Sequence, residues 1–422
     1  NSIQNQRTIQ INPTLNFVNL YNKFGFYKRI TVVDSTKKTT LAESFLKALL
    51  SLKNISGNYT KNEGTFLPGY LPQTQIIGYD FDASAPGIGF LMGSQNDIRD
   101  RALANGWITP DPLQNQLYVN TMDTKLNLRG TIEPLTDLRI ELTAFKNEAK
   151  NYSTNFRFDA ERGAFGNLSP ITNGSYSVSF IALKTAFTDN NADKLSTVFQ
   201  NFLANREIIS RRLGTENPNS SALISEGYAD GYGKNSQDVL VPAFIAAYQG
   251  KNASKTRLNS FPNIPVPNWR LTYNGLTKIP FMSNLFTSVD ITHGYTSTYN
   301  VNSFNTLIRY SEANGAVNVR DVNSNFLPEF QFSQVTIFEQ FVPLLGIDVR
   351  MKNNVTANLE YRKSRALSFG ITNSQLAQQN DEAVVLGFGY RTNNFRFPFG
   401  LFKGVTLKND LNFKLDVALR DN

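Results

Sequence analysis

The sequence predicts an all-β fold, in which antiparallel transmembrane β-barrel strands carry helical and loop insertions. Two observations carry this reading. Apolar and polar residues alternate with period two in about a dozen segments, which places them on opposite faces of extended strands. One of these segments is also far longer than a soluble sheet requires. From Val405 the odd positions read Val405, Leu407, Asn409, Leu411, Phe413, Leu415, Val417 and Leu419, and the even ones Thr406, Lys408, Asp410, Asn412, Lys414, Asp416, Ala418 and Arg420. The contrast persists for about fifteen residues, against roughly 5–6 in an ordinary strand and roughly 9–11 for a bilayer crossing. Leu411, Phe413, Leu415, Val417 and Leu419 are therefore expected to face lipid. Lys408, Asp410, Asn412, Lys414 and Asp416 are expected to face a watery lumen, with Asn409 at the headgroup boundary.

In chain order, the first strand is expected over Arg7 to Phe17, followed by a short helix from Thr40 to about Leu50 and a strand over Asn54 to Lys61. Leu126, Leu128 and Ile132 oppose Lys125, Arg129 and Glu133, and Leu138, Ile140, Leu142 and Ala144 oppose Arg139 and Glu141. Both greasy sets are even-numbered, so hairpin partners must sum to an even number; a loop from Glu133 to Asp137 would set Ile132 against Leu138. Further strands are expected at Tyr152 to Phe158, Tyr176 to Ala182, Phe286 to Tyr299 and Val384 to Arg391. Leu345, Ile347, Val349 and Met351 should pair with Val355, Ala357, Leu359 and Tyr361 across a Lys352-Asn353-Asn354 turn, where Asn tolerates positive φ.

Two stretches depart from the alternation. Asp193 to Leu213 carries Leu195, Val198, Phe199, Phe202, Leu203, Ile209 and Leu213 at helical spacing and ends before Gly214, and Ser236 to Gly250 reads as a second helix. Barrel strands over 1–187 and 264–422 are thus expected to flank one insertion, 188–263, lying as a cap or in the lumen.

Composition removes most enzymatic chemistry. With no cysteine and one histidine, disulfide scaffolds, Cys/His metal centres and thiol nucleophiles are excluded together. The net charge of +8 is spread along the chain, so no nucleic-acid partner is expected. No apolar window reaches 18 residues; the best, Val239 to Tyr248, contains Pro242. The first residues are neither an initiator methionine nor a signal peptide, so the chain reads as an internal piece of something longer.

His293 has no accompanying nucleophile motif, and Asp80 and Asp82 are ordinary i, i+2 patterning. Gly87 to Gly93 has its third glycine one place late for a dinucleotide fingerprint, and the loop with Gly227, Gly231 and Gly233 misses calcium-loop spacing. No catalytic, metal or cofactor-binding residue is expected.

Several longer strings point to one family. They are Gly64-Thr-Phe-Leu-Pro-Gly-Tyr70, Ala85-Pro-Gly-Ile-Gly-Phe90, Ile264-Pro-Val-Pro-Asn-Trp-Arg270 with Thr272-Tyr-Asn-Gly275, Phe341-Val-Pro-Leu-Leu-Gly-Ile-Asp348, and Glu360-Tyr-Arg-Lys-Ser-Arg365 followed by Gly387-Phe-Gly-Tyr-Arg391. Over essentially its whole length the chain resembles SprA (Sov), the outer-membrane translocon family of the type IX secretion system. The resemblance implies a late segment of a very large antiparallel transmembrane β-barrel of about 36 strands. It implies a non-enzymatic conduit that exports folded proteins, as in gliding-type surface export, through a barrel with a lateral opening. The implied partners are the remainder of the same polypeptide, a small PorV-type barrel at the opening, a periplasmic plug, secreted cargo and outer-membrane lipid. The residues alone leave two alternatives: an independent 12- to 16-stranded porin or solute transporter, of roughly the strand count found here, and a soluble β-rich carbohydrate-binding or hydrolytic domain.

Overall fold

The computed structural model describes residues 1–23, 51–188, 196–392 and 411–421. The first part of the chain forms β1 (Ser2–Ile11), β2 (Thr14–Asn16), β3 (Leu52–Pro68), β4 (Tyr118–Leu135), β5 (Leu138–Asp159) and β6 (Ala164–Ser179). Small hairpin strands β7 (Ile224–Ser225) and β8 (Tyr228–Ala229) follow, then β9 (Asn268–Tyr273), β10 (Phe286–Thr306), β11 (Glu312–Ala313), β12 (Ala316–Val317) and β13 (Phe330–Gln331). The chain closes with β14 (Gln334–Met351), β15 (Val355–Gly370), β16 (Gln375–Thr392) and β17 (Leu411–Asp421). One antiparallel sheet runs in the order β1-β3-β4-β5-β6-β10-β14-β15-β16-β17. The all-β expectation therefore holds, with helices confined to insertions.

The long strands have 16 to 22 residues, about twice the expected alternating segments. Turn chemistry sets their register. The Lys352 to Asn354 turn forms as expected, with Asn354 at φ 64°, and Leu345 pairs with Tyr361, Ile347 with Leu359 and Val349 with Ala357. The β4–β5 hairpin keeps the expected parity but not the expected partner. Ile132 faces Ile140, not Leu138, because the strand bulges around Pro134, which has no N–H for the ladder; pairing resumes at Leu135 and Leu138. Asp137 closes that tighter turn in the left-handed region at φ 69°. The strand expected from Arg7 to Phe17 breaks at Pro13 for the same reason, leaving β1 and the short β2, both paired to β3. The helix expected at Thr40 to Leu50 lies outside the described residues.

The large insertion separates two strands, β6 and β9, that occupy one position in the wall. Strand β6 pairs with β5 up to Val178 opposite Lys146, and β9 takes over with Asn268 opposite Thr143. Both also pair antiparallel with β10, so they share one position in the wall, end to end. The chain leaves after Ser179, which shortens the strand expected to reach Ala182, and returns at Asn268. Between these points the helices Thr197–Glu216 and Gln237–Gln249 form where expected, the second buried from Val239 to Tyr248 and ended by Gly250 at φ 60°. They pack Phe202, Ile209, Leu240 and Phe244 against Val178, Tyr299, Ile337, Leu367 and Phe369 of the sheet. We call this unit the main cap.

A second, smaller cap over residues 69–117 joins β3 to β4. Its short helices, Ile88–Leu91 and Arg99–Ala104, cover Leu67, Tyr118 and Phe156 with Phe90 and Trp107.

The β10–β14 connection is tied to the main cap by a two-pronged ion pair, with Arg320 donating to Asp230 at 2.6 and 2.8 Å. The Arg320 guanidinium holds the Asp230 carboxyl well below the usual carboxylate range. A depressed carboxylate stabilises the fold fully above its ordinary pKa, and that contribution disappears as pH falls through the lowered value. Arg320→Met should therefore weaken amide-exchange protection in this connection by about 1–2 kcal/mol at pH 7. The difference from wild type should shrink below about pH 4. A pH-independent difference would assign the effect to the Arg320 stack on Phe326 instead.

Candidate functional site

Rungs of paired residues define the two faces of the sheet. The rung through Leu415 runs Phe388, Ala357, Val349, Val289, and the rung through Val417 runs Leu386, Leu359, Ile347, Ile291, Tyr273, Leu138. Phe413 and Leu419 join the same face through Tyr390 and Val384. The expected lipid-facing residues thus form one end of a continuous apolar belt, and Leu415 is 62% exposed. Leu411 shares their face at the strand's edge. The belt continues through Leu142 and Ala144 on β5, Leu126 and Leu128 on β4, Ile55 and Tyr59 on β3, and Ile9 and Ile11 on β1.

The opposite face is polar. Asp416 shares a rung with Gly387, Asn358, Asp348 and Asp290, and Lys414 with Gly389, Thr356, Arg350 and Ser288. Asn412 lies on the same side, whereas Lys408 and Asp410 fall outside the described residues. A side chain at Gly387 would collide with Asn358 and Asp416, so the glycine leaves room for these polar groups. Gln4, Gln6 and Thr8 of β1 and Asn58, Thr60 and Asn62 of β3 carry this face to the far edge.

The belt does not follow the rungs. On β15 it is centred opposite the first residues of β5, while the apolar set of β3, Ile55 to Tyr59, connects through Gly130 to Leu126 with Leu142 to Lys146. It climbs about seven residues, roughly 23 Å, across six inter-strand spacings, roughly 29 Å, a strand tilt of about 40° that matches closed barrels.

Several of the long strands change character along the belt face. On β15 that face reads Val355, Ala357, Leu359, Tyr361, then Lys363 and Arg365, then Leu367 and Phe369 under the main cap. On β5 it reads Leu138, Ile140, Leu142, Ala144, then Lys146, Glu148 and Lys150, then Tyr152 and Phe156 beneath the smaller cap. Belt, charged row and cap are stacked in that order, and both caps lie on the belt face rather than on the polar one.

A buried polar network locks the main cap just beyond the belt. Arg365 donates to Glu339 at 2.6 Å, and the side chains are 5% and 1% exposed. Arg365 also donates to the Thr185 carbonyl at 2.6 Å, Tyr295 donates to Glu339 at 2.5 Å, and the Ala182 N–H donates to the Tyr295 hydroxyl at 3.0 Å. The Thr185 hydroxyl continues to the Tyr248 carbonyl at 2.8 Å, so wall and cap share one network. Its sequence signal was the Lys363-Ser-Arg365 triplet: its charges fall on the same parity as the greasy Leu359 and Tyr361.

The remaining candidates carry no reactive arrangement. His293 holds the Leu344 carbonyl through Nδ1 at 2.7 Å. Asp80 accepts the backbone N–H groups of Gln73, Asp82 and Ala83. Among the described residues no three His, Asp or Glu side chains converge as a metal site. No described helix is long and apolar enough to cross a membrane.

Removing one partner of a buried ion pair strands the other's charge. Arg365→Met should therefore lower the local stability of the Gln237–Gln249 helix by about 3–5 kcal/mol in hydrogen exchange, and Arg365→Met with Glu339→Leu should recover most of it. A single-variant loss below about 1 kcal/mol would remove the network as the cap's anchor.

No family model matches the chain, and no curated protein matches it. Among solved structures, BauA, the ferric preacinetobactin receptor from Acinetobacter baumannii, is similar over 86% of this chain and 41% of its own, at 9% identity and a TM-score of 0.27. The chain thus spans less than half the length of that receptor, and a likeness at this level assigns no function.

Proposed function

We propose that the chain is a section of the wall of a very large outer-membrane β-barrel that exports proteins, a translocon of the type IX kind. The observation that carries the membrane part of this reading is the tilted apolar belt backed by a largely polar face. On β17 the apolar row runs nine residues, Leu411 to Leu419, against the roughly 9–11 that a tilted strand needs to cross a bilayer, and the polar face suits a water-filled passage. Ladder pairing across the belt leaves few free backbone groups, as lipid demands. Strands β1 and β17 end the sheet and do not pair with each other among the described residues, which favours a larger wall over a self-closed porin. Passage of protein rests on the sequence resemblance, supported by the amide- and hydroxyl-rich polar face, which offers a moving polypeptide little apolar surface to stick to. The chain acts as a conduit, without chemistry of its own.

The belt is tested by single-cysteine labelling, which the cysteine-free chain permits. Cysteines at Phe413, Leu415, Val417 and Leu419 should react with lipid-dissolved probes, and those at Asn412, Lys414 and Asp416 with aqueous maleimide. Leu415→Lys should cost about 2–4 kcal/mol in assembly, while Asn412→Lys is nearly silent. Reversed or uniform labelling would leave a soluble β domain as the better reading.

The conduit role has its own test. A photoreactive residue at Asn358 or Asp348, on the polar face, should crosslink to secreted cargo in cells, and one at Leu359, on the belt, should not. Labelling that confirms the belt, combined with no cargo adduct from the polar face, would favour a solute channel.

A further inference from the structure

The smaller cap carries an apolar tip that its own packing does not use. The turn from Ile76 to Tyr79 closes with the Tyr79 N–H donating to the Ile76 carbonyl at 2.9 Å, and both central residues, Ile77 and Gly78, lie at positive φ, 53° and 80°. This is the pattern of a type I′ turn, whose first central position favours Asn or Gly and is costly for a β-branched side chain. Ile77 occupies it and is 88% exposed, so no packing among the described residues offsets the strain.

Two further apolar side chains belong to the same edge of the cap. A methyl group at Gly78 would lie 3.3 Å from Leu91 Cδ2, which sets the turn against the short helix Ile88–Leu91. Ile88 and Met92 are one helical turn apart, joined by the Met92 N–H on the Ile88 carbonyl, and both are exposed, Met92 at 80%.

This edge is seated beside the belt. A methyl group at Gly93 would lie 3.4 Å from Arg7 Cβ, and Asn5 donates through Nδ2 to the Phe90 and Ser94 carbonyls, both at 2.9 Å. Asn5 and Arg7 share a face of β1 with the belt residues Ile9 and Ile11, so the segment around Met92 rests on the belt face. From Ile9 to Arg7 is roughly 7 Å along a strand tilted by about 40°, or roughly 5 Å along the membrane normal. A headgroup layer is about 5–8 Å deep, so Met92 starts within it. Leu113, also exposed on this cap, lies elsewhere: it follows Pro112, whose carbonyl accepts Arg157, far beyond the last belt residue of β5.

We propose that Ile77, Ile88 and Met92 form an interfacial anchor, which dips into the lipid headgroup layer beside β1 and holds the smaller cap down on the bilayer. The proposal rests on the membrane reading given above. Apolar side chains at a loop apex bind the interface through the area they bury, and lipid supplies the contact that Ile77 lacks within the fold.

The test uses the full protein in phosphatidylcholine nanodiscs, with a polarity-sensitive fluorophore on single cysteines at Ile77, Met92, Leu113 or Leu415. Quenching by lipid nitroxides in the headgroup, high on the acyl chain or near its end is compared with quenching by aqueous iodide. Probes at Ile77 and Met92 should respond best to the two shallow nitroxides, and iodide should quench them roughly threefold or more less than the probe at Leu113. Leu415 should respond to the deep nitroxide. Ile88→Gln with Met92→Gln alters only exposed side chains and should raise iodide quenching at Ile77 to the level of Leu113; no rise would count against the anchor. If Leu415 responds to the deep nitroxide while Ile77 and Met92 are as open to iodide as Leu113, the anchor is overturned and the membrane reading stands. Shielding of Ile77 and Met92 from iodide and from every nitroxide would overturn it too, and assign the edge to a neighbouring protein surface. Failure of the lipid response at Leu415 would remove both.

Discussion

Because β3 to β17 are hydrogen-bonded edge to edge, a one-residue slip in any hairpin would carry that strand's apolar residues to the polar side. The belt, the charged row and the seats of the two caps all inherit their alignment from this ladder register. The register is held locally, by Asn354 and Asp137 in left-handed turns and by a bulge at Pro134 that absorbs a residue mismatch. It is also held at long range, since Glu339 and Arg365 lie opposite each other on β14 and β15 and can meet the cap only in this alignment.

The interrupted wall position shows how the ladder tolerates a break. Where β6 stops and β9 has not begun, two backbone donors on the neighbouring strands would go unanswered. Side chains supply the missing acceptors: Ser179 takes the Phe145 N–H at 3.1 Å, and Asn268 takes the Ser297 N–H at 2.9 Å. The Phe180 N–H reaches the Ser297 carbonyl, and the Val266 N–H reaches the Ser179 carbonyl. Ser179 and Asn268 are buried, so these bonds are shielded from water and their loss would leave unsatisfied groups worth about 1–3 kcal/mol each.

The belt half of each strand was legible because its two faces contrast simply, as in Leu411 to Leu419 or Leu345 to Met351. The other half was not, although its period is the same. On β15 the belt face turns from Tyr361 to Lys363 and Arg365 and back to Leu367, so a search for one greasy parity ends too early. The hairpin at Lys352 to Asn354 could be read from Asn chemistry, whereas the β4–β5 hairpin could not, because Pro134 moved the pairing by a bulge. The smaller cap left little trace, since helices of four and six residues are too short to display a helical face. Nor can the joining of β6 to β9 be seen in sequence, because neither fragment marks the other as its continuation.

That joining bears on how the wall is built. The two halves of one wall position are separated by roughly 90 residues, so closing the gap between them costs loop entropy that the adjacent hairpins do not pay. Strand β6 can zip onto β5 through a short turn, but β9 comes into register only after the intervening helices have compacted and brought Asn268 back beside Ser179. Completion of the sheet at this point is conditional on the cap having folded. An assembly defect in the cap would thus be felt as a missing half-strand between β5 and β10, converting an error outside the belt into a breach within it.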